Sequence, residues 1–98
     1  MIEKDYVMLR DMMCNIIGVG EDIFLKDQHY PMPYARAIVA EALYDMGYRW
    51  KSIANILHKR HSTLIIMTRK LHEIKDLKPY RQVKRIYDEF YKVEYVRD

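Results

Sequence analysis

Residues 50–76 read WKSIANILHKRHSTLIIMTRKLHEIKD, and this stretch decides the fold. Trp50, Ile53, Ala54 and Leu57 recur at three- and four-residue steps, so they share one face of a short helix over 50–58. Lys59-Arg60-His61 interrupts that pattern as a three-residue turn. Ser62 and Thr63 follow, with side-chain oxygens suited to capping the free backbone N–H groups of a new helix. That second helix is expected from Leu64 to about Asp76. Leu64, Ile65, Thr68 and Leu71 form its buried stripe, with His72 at the margin.

The rest of the chain extends the same pattern. Towards the N-terminus, Ala35, Ile38, Val39, Ala42, Leu43 and Met46 predict a helix over Tyr34–Met46, with Gly47 as its C-cap. Pro31 and Pro33 bias Tyr30 and Met32 to extended geometry, which makes Lys26–Pro33 a loop. Glu21–Leu25 reads as one acidic helical turn. A first helix over 3–17 carries Tyr6, Leu9, Met13, Ile16 and Ile17, and Gly18 and Gly20 end it. Towards the C-terminus, Pro79 suits the first turn of a last helix running to about Val96. Its stripe is Val83, Ile86, Tyr87, Phe90, Tyr91 and Tyr95. No segment alternates with period two. The expectation is one all-α domain over residues 1–98 with five to six helices, a helix-turn-helix core over 50–76 and a closing helix over 79–96.

Composition narrows the function classes. A single cysteine, Cys14, excludes an internal disulfide framework and a cysteine-rich zinc site, and its place on an apolar helix suggests a packed thiol. No apolar run reaches the ~18 residues of a membrane span. The charged N-terminus is unlike a signal peptide, so a cytoplasmic location is expected. Charge is unevenly spread. Residues 1–48 hold four Lys/Arg against eight Asp/Glu, residues 49–72 hold six against none, and residues 73–98 hold seven against six. An acid-free basic block suits a polyanion, because each neutralised phosphate releases counterions. A solvated helical face is the plain alternative.

The chemistry of the turn agrees with a helix-turn-helix, in which the start of the second helix faces base edges. Lys59 adds charge. Arg60 can fork onto guanine O6 and N7, and His61 can donate to a base or phosphate. Ser62 and Thr63 can bond phosphate oxygens. Ile66 and Met67 are left open between core and a surface for thymine methyls. Other readings are weaker. His58 and His61 lack a neighbouring cysteine or carboxylate for a metal. Asp5 and Asp11 show no catalytic pairing. The stripe Tyr87–Phe90–Tyr91–Tyr95 fits core packing or a dimer face better than a stacking platform.

The segment ARAIVAEALYDMGYRWKSIANILHKRHSTLIIMTRKLHEI, residues 35–74, resembles the C-terminal DNA-binding domain of the bacterial replication initiator DnaA. That domain is all-helical and related to the Trp-repressor helix-turn-helix. Its recognition helix opens with Phe-Gly-Gly-Arg-Asp-His-Thr/Ser-Thr-Val, then an apolar run and Arg-Lys-Ile. Here Leu57-His58-Lys59-Arg60-His61-Ser62-Thr63-Leu64 occupies that place, followed by Arg69-Lys70-Leu71. The resemblance covers about 90 residues, reaching back through Asp22-Ile23-Phe24 to the first helix. It implies that His61, Ser62 and Thr63 enter the major groove or hold phosphates. It also implies that Arg36 contacts DNA and that Arg69 and Lys70 are the family's basic pair. The chain departs from the pattern where Arg60 replaces Asp and Ile66 replaces a histidine inside the recognition helix. The turn lacks Gly-Gly. Lys26-Asp27-Gln28-His29-Tyr30 stands for a basic minor-groove loop. No nucleotide-binding phosphate loop is present, so ATP chemistry does not carry over.

The expected function is therefore non-catalytic binding of double-stranded DNA, linked to replication initiation or its regulation and associated with the nucleoid. No cofactor, metal, nucleotide or membrane is expected. A homodimer or a replication-protein contact is open. The rival is a protein-interaction module that kept the fold and lost DNA recognition.

Overall fold

Ile2 begins a helix that runs to Ile17 (α1), and Gly18 stops it by turning left-handed, with φ 77°. Gly20 does not belong to that ending; it is the N-cap of Glu21–Lys26 (α2). The third helix, Met32–Asp45 (α3), begins two residues before the expected start. Pro33 explains the difference, since a first helical turn needs no N–H there and tolerates proline's φ. Trp50–Leu57 (α4) and His61–Ile74 (α5) follow, then a 3₁₀ turn at Lys78–Tyr80 and a last helix, Arg81–Lys92 (α6). Pro79 sits in the 3₁₀ turn rather than in α6 itself. This computed structural model describes residues 1–92. Tyr95 and the expected extension to Val96 lie outside the described residues.

The architecture is all-α, as the sequence predicts. α3 is its axis and packs against each of the other five α-helices. Every residue from Tyr34 to Ala40 is buried, so this helix has no solvent face over two turns. Ala35, Ala37, Ala40 and Ala42 keep it slim and let its neighbours approach closely. Leu9 and Met13 of α1, Phe24 of α2, Ile53 and Leu57 of α4, Leu64 and Leu71 of α5, and Val83, Ile86 and Phe90 of α6 close around it. Each such side chain contributes about 1.5–3 kcal/mol on burial. Tyr87 and Tyr91 complete the α6 stripe half-buried against the same core. Cys14 also packs half-buried against this core, and burial pushes its thiol up.

A polar cluster ties the last two helices to the axis. Glu41 of α3 accepts from the Tyr91 hydroxyl at 2.8 Å and from His72 Nε2. The Tyr87 ring meets His72 edge-on and lies under the Lys75 ammonium, 5.1 Å from its centroid. His72, expected at the margin of a buried stripe, is thus an exposed residue with a carboxylate partner. No described helix is long and apolar enough to cross a membrane.

Candidate nucleic-acid interface

α4 ends because His58 adopts the left-handed conformation, φ 57° and ψ 40°, where glycine is the usual occupant. The chain reverses over His58-Lys59-Arg60, held by the Lys59 N–H on the Ala54 carbonyl at 3.1 Å. Arg60, extended at φ −70° and ψ 139°, is the N-cap of α5. The expected capping by Ser62 or Thr63 does not occur. Both residues already lie inside the first helical turn, and no side chain caps the helix. The reason is register. α5 begins three residues earlier than its apolar pattern suggests, since polar residues can extend a helix beyond its buried stripe.

The consequence is an open helix start. The N–H groups of its first turn lack side-chain partners among the described residues, and no acidic residue lies in that turn. Arg60, His61, Ser62 and Thr63 are all exposed. One and two turns on, Ile66 is 58% exposed and belongs to the surface, while Met67 is half-buried. Arg69 and Lys70 are exposed. Thr68 turns inward and donates to the Leu64 carbonyl at 2.8 Å. None of the six Lys/Arg in 49–72 forms an ion pair with a described residue, whereas Arg10, Lys75 and Lys84 elsewhere do.

Arg36 requires a correction. The resemblance places it at an open DNA-contacting position, yet it is only 3% exposed. Starting α3 at Met32 carries Arg36 one turn into the helix and under the loop that follows α2. There its Nη1 donates to the Phe24 and Asp27 carbonyls, both at 2.8 Å. Burial pushes the guanidinium down from its ordinary value, against the pull of Asp27. Asp27 itself is engaged by His29, whose backbone N–H and ring Nδ1 bond Oδ1 at 2.9 and 2.8 Å. Those bonds hold its carboxyl below the usual range.

Arg36, Lys59, Thr63 and Gln28 line a recess of about 200 Å³ under the α5 start, floored by Pro33, Leu64 and Met67. No carboxylate among the described residues lines it. Burial, then the nearby Arg36 charge, pulls the Lys59 ammonium below its ordinary value. Two cations therefore face one small recess beside a helix N-terminus, an arrangement that favours an anion.

Lys59, Arg60, His61, Ser62 and Thr63 are thus brought together, with Ile66, Arg69 and Lys70 further along the same helix. The sequence reading missed Gln28 as a wall of this recess. It also missed a neighbouring groove where Tyr30, Tyr34 and Tyr80 meet. These residues are up to fifty positions apart, and no local periodicity links them. The chain matches no known protein family, no curated protein and no solved structure.

Proposed function

We propose that the protein binds double-stranded DNA without catalysis, with the first turn of α5 directed into the major groove. The observation that carries this reading is the uncapped, acid-free start of α5 beside the Arg36–Lys59 recess, which no described carboxylate lines. A phosphate supplies what both features lack, namely acceptors for free N–H groups and a negative charge between two positive ones.

In this reading Arg60 and His61 address base edges, and Ser62 and Thr63 hold phosphate oxygens. Ile66 meets a thymine methyl, and Arg69 and Lys70 follow the backbone. Lys59 and Thr63 seat one phosphate over the recess. Arg36 acts from below, fixing the loop and adding its field rather than touching a base. The resemblance to the initiator's DNA-binding domain supports the same docking. It suggests a nucleoid-associated protein acting in replication initiation or its regulation. Arg60 in place of the family's aspartate implies a different preferred base, since a guanidinium donates to guanine while a carboxylate accepts from cytosine.

The test is a titration with duplex DNA at several salt concentrations, using duplexes selected from a random pool. Affinity is expected to fall steeply with salt. Replacing Arg69 and Lys70 by Ala should flatten the log–log slope by up to about 2. Salt-independent association with a protein partner and no duplex binding would move the fold to the interaction-module class.

A further inference from the structure

The groove beside the recess encloses about 550 Å³ between the 28–34 segment, α5 and the 3₁₀ turn. Three tyrosines from two distant parts of the chain converge on it. Tyr30, Tyr34 and Tyr80 meet edge-to-face with centroids 6.0–6.2 Å apart. Tyr30 is 43% exposed, Tyr80 is half-buried and Tyr34 is buried. Prolines and Met67 complete the apolar wall, while Gln28 and Lys70 add polar groups. No carboxylate among the described residues lines the groove, and the exposed Lys78 and Arg81 flank its Pro79-Tyr80 edge in the chain.

A flat ring with hydrogen-bonding edges and an attached phosphate matches this chemistry. Aromatic rings offer stacking to any base. The Gln28 amide both donates and accepts, as a base edge requires, and Lys70 donates to a phosphate or ring acceptor. The excess of cations favours a polyanion over a proline-rich peptide, which would use the rings alone. Bases inside a duplex are stacked on their neighbours and are not available to such a groove. The groove also shares Gln28, Pro33 and Met67 with the anion recess, so one strand can run from the first into the second.

We propose that this groove takes an unpaired nucleobase from a DNA strand leaving the duplex held on α5, so that the protein engages a double-strand to single-strand junction. The inference rests on the duplex reading above and adds a site to it.

The experiment compares a blunt duplex, the same duplex with a three-nucleotide overhang carrying 2-aminopurine, and the single strand alone. Wild-type protein is expected to quench the 2-aminopurine and to bind the overhang duplex roughly 5- to 100-fold more tightly than the blunt one. Tyr30→Ala should remove that gain and leave blunt-duplex affinity unchanged; Tyr30→Trp should restore it. If Tyr30→Ala melts, quenching by the wild type decides alone. Equal affinity for blunt and overhang duplexes without quenching would overturn the groove assignment and leave the duplex reading standing. Tyr30-dependent binding of the single strand with no duplex binding would do the reverse. Failure to bind any of the three probes would also overturn the proposal.

Discussion

Arg36 and Glu41 stand five residues apart on the same buried helix, and their surroundings are opposites. Glu41 is complete within the protein: His72 and Tyr91 donate to its two oxygens, and Tyr87 and Lys75 stack beside them. Arg36 is only half accommodated. It satisfies two carbonyls and feels the Asp27 carboxylate from the loop side, but across the recess it faces another cation, Lys59. A closed cluster of this kind holds helices together, because every partner is supplied by the fold. An open one stores unfavourable charge that an incoming anion relieves. The difference separates structural polar residues from candidate binding residues, although both carry charge and both sit against the core.

Removing the centre of the closed cluster should have the largest effect. Glu41→Ala takes one acceptor from the Tyr91 hydroxyl and the carboxylate partner from His72, at a cost of about 1–3 kcal/mol. For a domain of this size that lowers Tm by roughly 5–20 °C in a calorimetric scan. The salt slope of DNA binding should stay the same. The same variant has a spectroscopic signature. Burial and Glu41 hold Tyr87 up to about 12, so its phenolate should absorb late in an alkaline titration and move back towards 10 without Glu41. Because the folded value is the higher one, this contribution to stability is full below pH 10 and is lost as pH rises towards about 12.

The open side should respond in binding rather than in folding. Arg60→Ala is expected to cost roughly 1–3 kcal/mol on the selected site and to relax preference at one base pair. Its unfolding free energy should move by less than about 0.5 kcal/mol, because the side chain is exposed. Base preferences and affinity identical to wild type in a selected-site comparison would remove Arg60 from the reading surface.

Lys59→Met sharpens the contrast, since it should weaken DNA binding while stabilising the free protein. One lost phosphate contact reduces the salt slope by about 0.9. The gain in stability follows from the lowered folded value of Lys59. The unfolded chain holds that proton more tightly, so the charged side chain is a penalty at neutral pH that eases as pH rises through its folded value. Bound phosphate raises the value again, so wild-type affinity is constant below it and falls with pH above it. Parallel melting curves and titrations across the alkaline range check both signs.

The smallest effect is expected at the turn between the regions. His58→Gly relieves a left-handed conformation that disfavours a side chain by roughly 1 kcal/mol, offset in part by the greater freedom of glycine when unfolded. A rise in Tm of a few degrees with unchanged DNA affinity is the expected outcome of a thermal melt.

Most of the helical framework was legible from residue spacing. The stripes Tyr6–Leu9–Met13, Ile38–Val39–Ala42 and Ile53–Ala54–Leu57 each lie within one helix, and a local period suffices to predict which side turns inward. The exposed turn at Arg60 was legible for the same reason, as a break in that period. The start of α5 was not, because Ser62 and Thr63 suit a cap and a first turn alike, and only the path of the chain from α4 selects the second. The burial of Arg36, the pairing of Glu41 with His72 and Tyr91, and the meeting of Tyr30, Tyr34 and Tyr80 were decided by tertiary structure alone. Each depends on at least one side chain or carbonyl from another segment, which becomes a neighbour only when the helices close around α3. Periodicity records which face of a helix avoids water, but it carries no information about which polar groups will meet there.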